Sequence, residues 1–401
     1  MSSYPAPQRQ LRGHRPARPS DRAALTGEHH AYLAAHLTPR DRWLARVLAE
    51  HRVLTAGQIA QLAFASTRTA NRRLLSLYRW RVVDRFQPYL TSGSAPMHYV
   101  LDTAGAAALA AEDGIDTSTK DLGYRHDRAI QIAHSLRLAH TVGVNGFCAD
   151  LVAIARHSAS PTNHPGGGVD VGGVAGGGRA VTAWWSEARC ARLFGEHVRP
   201  DAYGRWREAS GGQSSEVEFF LEYDTGTEAL SRVAGKLAGY QRLATTSGIV
   251  TPVLFWMPTP AREANARTAL SAVLRGLDRP DLVPVATTSS TPNPAAHRAD
   301  RDGTRYPWAA AAPDSPAGER WLPLTPSTTP SGPNSVARVR LAQLARVWPH
   351  AAPPAPAGPS DTTPAHRPGT GLTPPAPMPP AIRGWPTHTG TADADDRAVD
   401  R

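Results

Sequence analysis

FFLEYDTGTEALSRVAGKLAGY, residues 219–240, reads as a β-strand that turns at Thr225-Gly226-Thr227 and continues into a helix. Side chains alternate across a strand, so Glu222 and Asp224 share one face of it. On the helix, Arg232, Lys236 and Tyr240 recur at i, i+4 and i+8 and form one stripe. That stripe can lean over the carboxylates and stabilise phosphate charge. Upstream, Arg199-Pro200-Asp201 stands at the end of the neighbouring strand of a hairpin. Asp201, Glu222 and Asp224 are therefore expected to form a pocket of hard oxygen ligands suited to Mg2+, with Lys236 on its rim. A competing reading makes Lys236 the solvent-facing partner of Glu228 or Asp224.

Strands are expected at 181–186, 199–206, 216–224 and 249–257, helices at 227–244 and 261–277, and a last short strand at 282–287. Ahead of them, residues 125–157 carry apolar positions suited to one long helix or two broken ones, with Gly143 and Gly146 against continuity. His134 and His140 lie six apart, so they read as core or surface histidines rather than a metal pair. Glu187 reads either as a further acidic ligand or as a helix-start residue. The stretch 158–178, with GGGVDVGGVAGGG, lacks the strand-then-helix setting of a phosphate loop and reads as a flexible insertion.

The N-terminal half has a different pattern. Thr38-Pro39 caps a helix to about Arg52, the segment from Leu54 starts a second short helix with Thr55 as its cap that ends near Phe64, and Ser66 starts a third. In the third, Leu74, Leu75 and Tyr78 face inward, while Arg68, Thr69, Asn71, Arg72 and Arg79 lie on the other side. Residues 82–86 and 97–101 then read as two strands joined by a wing, with Arg85 and His98 reaching towards a phosphate backbone, and Asp102 caps a further helix. Three short helices and a wing predict a DNA-binding winged helix-turn-helix, in which arginine reads guanine and asparagine reads adenine. The competing reading is a winged helix used for protein contacts.

Composition agrees with an anionic partner. The net charge is +10 with 44 basic residues, 42 of them arginine, since only Lys120 and Lys236 are lysine. Two cysteines, Cys148 and Cys190, exclude a disulfide framework and a cysteine zinc site. No apolar leader opens the chain, and no stretch is read as approaching the roughly 18 apolar residues of a membrane span; a cytoplasmic protein without membrane contact is expected. The domain plan is a basic disordered arm at 1–35, a winged helix at 38–118, an α/β domain at 125–287, and a mostly disordered proline-rich tail at 288–401, in which 335–347 can form a short helix.

The runs TPRDRWLARVLAEHRVLTAGQIAQLAF, STRTANRRLLSLYRWRVVDRF, HYVLDTAGAAAL, RPDAYGRW and FFLEYDTGTEALSRVAGKLAGY resemble the actinobacterial plasmid replication-relaxation family over residues 38–257. The resemblance implies a winged helix followed by a nuclease-like domain, acting on double-stranded plasmid DNA beside other replication or transfer proteins. The second domain is similar to the core of PD-(D/E)XK nucleases, an α/β restriction-endonuclease-like fold within an α+β chain. By position, Asp201 and Glu222 would be its acidic catalytic residues. Asp224 stands where that superfamily has lysine, and Lys236 from the helix would be its migrated replacement. The two functions weighed are a Mg2+-dependent nickase or DNA-holding protein, and a non-catalytic regulator whose second domain is a protein-interaction platform.

Overall fold

The computed structural model describes residues 12–15, 22–90, 94–115, 124–158, 178–210, 213–290, 315–324, 337–351 and 372–381. It is an α+β protein with two compact units, one comprising Gln10–Ser135, Ala155–Gly176 and Pro364–Arg401, the other Met1–Arg9, Leu136–Ile154 and Gly177–Thr363. The expected insertion at 158–178 falls almost wholly outside the described residues, as do most of the proline-rich tail and residues 1–11 and 16–21.

In the first unit, β1 (Arg12–Arg15) and α1 (Gly27–His36) precede α2 (Pro39–His51). Thr38 and Asp41 make a reciprocal capping box on α2, with Pro39 in its first turn. A two-residue strand β2 (Leu54–Thr55) leads into α3 (Ala56–Ala63), capped by Thr55 and Gln58, and Ser66 caps α4 (Thr67–Arg79). Strands β3 (Val83–Tyr89) and β4 (His98–Leu101) form an antiparallel ladder from Val83↔Leu101 to Phe86↔His98. The full sheet order is β1-β3-β4-β2, after which come α5 (Thr103–Glu112), capped by Asp102, and the short α6 (His126–Ile130).

A buried ion pair ties α2 to α4. Asp41 is fully enclosed and accepts from Arg73 at 3.1 and 2.6 Å, while the Arg73 guanidinium lies over the Trp80 ring. Removing either partner would leave the other's charge buried and unmatched.

One expectation for this unit is corrected. Residues 1–35 are not all a disordered arm: β1 pairs with β3, α1 is a capped helix with Leu33 buried, and Arg22 bonds Asp102. Thr55 caps α3 as expected, and Leu54-Thr55 also forms a two-residue strand paired with β4.

The second unit is built on α7 (Leu138–Ser158), one continuous helix despite its glycines. Gly143 is needed there, since a Cβ would come within 2.4 Å of the Tyr223 ring. The window Leu138–His157 is long and apolar enough for a membrane span, contrary to the reading above, but most of it is buried inside the protein, as in a core helix.

Seven strands follow in the order β11-β10-β9-β8-β7-β6-β5. They are β5 (Arg179–Ser186), β6 (Ala202–Ser210), β7 (Gln213–Tyr223), β8 (Val253–Met257), β9 (Val285–Ser289), β10 (Glu319–Leu324) and β11 (Val339–Arg340). The β5-β6-β7 run is antiparallel, β7-β8-β9 is parallel, and β10 and β11 return antiparallel. Helices α8 (Glu187–Phe194), α9 (Leu230–Ser247) and α10 (Pro260–Arg275) complete the unit before the single turn α11 (Leu344–Val347).

Phe147 of α7 packs edge-on against Phe219, Trp256 and Trp321. Val233, Leu237, Leu243, Leu270 and Leu274 of α9 and α10 join Phe220, Val253 and Phe255 in a separate apolar cluster. The sheet is thereby clothed in helices on both faces, which explains why β8 is buried along its whole length.

The domain end at 287 is a correction. The sheet runs on through β10 and β11: Arg267 donates to the Leu322 and Pro323 carbonyls, and Arg338 pairs with Glu263 at 2.8 Å. Among the described residues 337–347 of the helix expected at 335–347, a 3-10 turn and α11 form.

Candidate functional site

The β6-β7 register pairs Ala202 with Leu221, so one further step sets Asp201 opposite Glu222. Directly opposed residues of an antiparallel pair share a face. Both carboxylates are buried, and each is held by donors from elsewhere in the unit. Lys236 of α9 donates to Glu222 Oε2 at 2.5 Å, and one helical turn on the Tyr240 hydroxyl donates to Oε1. Asp201 Oδ2 accepts the Tyr223 backbone N–H at 2.8 Å and faces His140 Nε2 of α7 at 3.1 Å. Arg137 lies 3.8 Å from Asp201 Oδ1 and bonds Glu187, the first residue of α8, at 2.7 Å.

The electrostatics follow from burying two like charges together. Burial, followed by the Asp201 charge, raises the Glu222 carboxyl to about 7, against the opposing pull of Lys236 and Tyr240. Burial also acts to raise Asp201, but the His140 and Lys236 charges and the Tyr223 N–H outweigh it and hold its carboxyl below the ordinary value. Burial opposes the charged forms of Lys236 and His140, yet the neighbouring carboxylates raise both. The result is an acidic floor under a cationic rim of Lys236, His140 and Arg137, the last more than half exposed.

Asp201, Glu222 and Lys236 are thus brought together, and Asp224 is not. Asp224 lies one residue past the end of β7, where it accepts from Arg262 of α10 and from the Gly226 N–H. The alternation that would align it with Glu222 stops with the strand. The three-carboxylate pocket is corrected accordingly: among the described residues no group of three or more His, Cys, Asp or Glu side chains is arranged to hold a metal. Two opposed carboxylates remain, and Mg2+ commonly takes one or two, completing its shell with water and substrate phosphate. Arg232 also leaves the expected stripe, pointing outward 3.8 Å from Glu228. Lys236 pairs with neither Glu228 nor Asp224, the partners of the competing reading.

His140 was missed by sequence reasoning. Spacing to His134 carried no signal, because its partner Asp201 is 61 positions away and meets it only through the packing of α7 on the sheet. Tyr240 was placed on the correct stripe, but its bond to Glu222 depends on the tilt of α9.

The second candidate surface is α4. Ala70, Leu74, Leu77 and Tyr78 are buried, while Arg68, Asn71, Arg72 and Arg79 are exposed and Thr69 is half-buried, bonded to Ser66. Arg85 is less available than expected, since its guanidinium stacks 4.3 Å over the Tyr78 ring. His98 does not reach outward at all. It is buried on the Pro96 carbonyl, and desolvation lowers its imidazole to about 4, so it stays neutral at physiological pH.

A sequence family described as replication-relaxation matches residues 46–254, just over half of the chain, spanning α4 and the Asp201–Glu222–Lys236 cluster. No curated protein and no solved structure matches.

Proposed function

The chain belongs to the replication-relaxation family, with a role in plasmid replication or mobilisation, and on that premise we propose that it binds duplex plasmid DNA through α4 and acts on a phosphodiester at the Asp201–Glu222 site. The order α2-β2-α3-α4-β3-β4 supports a winged helix-turn-helix reading, in which α4 would be the recognition helix. The order α7-β5-α8-β6-β7-α9-β8 supports a PD-(D/E)XK-like reading, with α8 added between its first two strands. The observation that carries the catalytic half is the Lys236 ammonium on Glu222 opposite Asp201. It supplies from α9 the cation that Asp224 cannot supply from the strand.

In this reading Asp201 and Glu222 would hold Mg2+, which would supply Lewis-acid polarisation of the phosphodiester and an activated water. Lys236 neutralises charge on the scissile phosphate, Tyr240 orients Glu222, and His140 orients Asp201. Arg137, the most exposed cation of the rim, meets the DNA backbone.

A second reading, a non-catalytic regulator, is favoured by one observation: Lys236, Tyr240, His140 and the Tyr223 N–H already satisfy both carboxylates. Supercoiled plasmid incubated with the protein and Mg2+ or Mn2+ separates the two. Nicked circles are expected from the wild type and not from Asp201→Ala, while both retain DNA in a gel-shift assay that weakens steeply with salt. Arg68→Ala with Arg72→Ala should lose the shift. Retention of plasmid without metal-dependent nicking would leave the regulator.

A further inference from the structure

Part of the expected disordered tail has a defined seat. Residues 372–381, LTPPAPMPPA, lie in the first unit. Trp43 of α2 donates its indole N–H to the Ala376 carbonyl at 2.8 Å. One turn on, Arg46 donates to the Thr373 carbonyl at 3.1 Å, and the Thr373 N–H returns to Asp113, just past α5, at 2.7 Å. Arg46 and Asp113 are themselves paired at 2.8 Å, so one ion pair grips both backbone groups of a single residue. Trp43 and Leu372 are buried, and prolines 374, 375, 377, 379 and 380 are half-buried.

The chemistry of the seat suits this kind of ligand. Half of the ten residues are proline, which fixes φ and removes the N–H, so such a chain offers carbonyls far more often than donors. Two of the three protein groups described above serve that pattern: an indole N–H and a guanidinium. The single acceptor, Asp113, meets Thr373, one of the few residues with an N–H to give. Because proline restricts the chain beforehand, little entropy is lost on docking, and a segment that cannot fill a core can still be held.

We propose that the Trp43–Arg46–Asp113 face is a receptor for proline-rich segments, and that its resident occupant is the chain's own residues 372–381, bound in cis. The tail is thereby strapped to the helical unit, and another proline-rich segment engages this face only by displacing it.

The test uses the full chain. Hydrogen exchange should find the Thr373 amide protected, and Asp113→Ala should speed its exchange by about tenfold or more while leaving the α2 amides unchanged. A labelled peptide of residues 370–382 is then titrated into the wild type and into a full chain carrying Leu372→Asp and Pro375→Asp. The variant should bind it at least about tenfold more tightly than the wild type, whose own segment competes at an effective concentration on the order of mM. Adding Trp43→Phe, which keeps a ring but removes the N–H, should weaken that binding. The proposal is overturned by an unprotected Thr373 amide, by equal peptide binding to both chains, or by no binding to the variant. Protection that disappears on dilution would also overturn it, by making the occupant the segment of a second copy.

Discussion

Glu222 shows how one buried residue can set the pH behaviour of the protein. Its carboxyl rises from an ordinary 4.5 to about 7, chiefly through burial and then through Asp201. A carboxyl raised in the folded state binds more protons there than in the unfolded chain. Its contribution to stability is therefore greatest below about 4.5, falls as pH rises towards 7, and stays low above that. Glu222→Gln fixes a neutral side chain in the same space. The stability difference between variant and wild type should shift in the variant's favour between pH 5 and pH 8, by on the order of 3 kcal/mol. Urea unfolding at the two pH values measures it, and a difference that stays constant or moves the other way refutes the assignment. In the functional assay the same group gives the opposite slope. On the proposed function Mg2+ would need the ionised carboxylate, so nicking at limiting Mg2+ should rise with pH.

Helix α9 places two glycines one turn apart with different reasons for being there. A Cβ on Gly239 would meet the His197 carbonyl oxygen at 2.7 Å and the Val198 Cβ at 3.2 Å, whereas one on Gly235 meets nothing within 4 Å. Gly239→Ala should therefore destabilise the protein by about 1–3 kcal/mol through overpacking against backbone. Gly235→Ala should stabilise it by about 0.5–1 kcal/mol, the helix-propensity gain. Thermal unfolding of the two variants checks the pair. Two changes of the same sign would mean that α9 is seated differently against the loop before β6. The seating matters to the site, since α9 also delivers Lys236 and Tyr240 to Glu222.

At the scale of the molecule, the second unit depends on a strand the sequence concealed. Trp321 of β10 is fully buried, and its ring lies 6.2 Å from Phe147 and 6.1 Å from Trp256. Trp321→Ala should cost about 3–5 kcal/mol, the range for emptying a large aromatic from a packed core. A loss below about 1 kcal/mol, read by urea unfolding, would mean that β10 is an accessory to the core.

Much of the architecture is legible locally because its causes are local. Thr38-Pro39, Thr55, Ser66 and Asp102 announce their helices, since a cap acts on N–H groups two or three residues away. The strand read at 216–224 recovers most of β7, and helical spacing puts Lys236 and Tyr240 on one stripe. What the sequence could not decide depends on partners distant along the chain. Asp224 turns to Arg262, His140 meets Asp201, and β10 pairs with β9 across a long interval of low-complexity chain. Proline and alanine dominate the segment at 372–381, so it carries no periodicity of its own. Its order comes from Trp43, Arg46 and Asp113, whose hydrogen-bonding groups become a binding surface only when α2 and α5 have packed together.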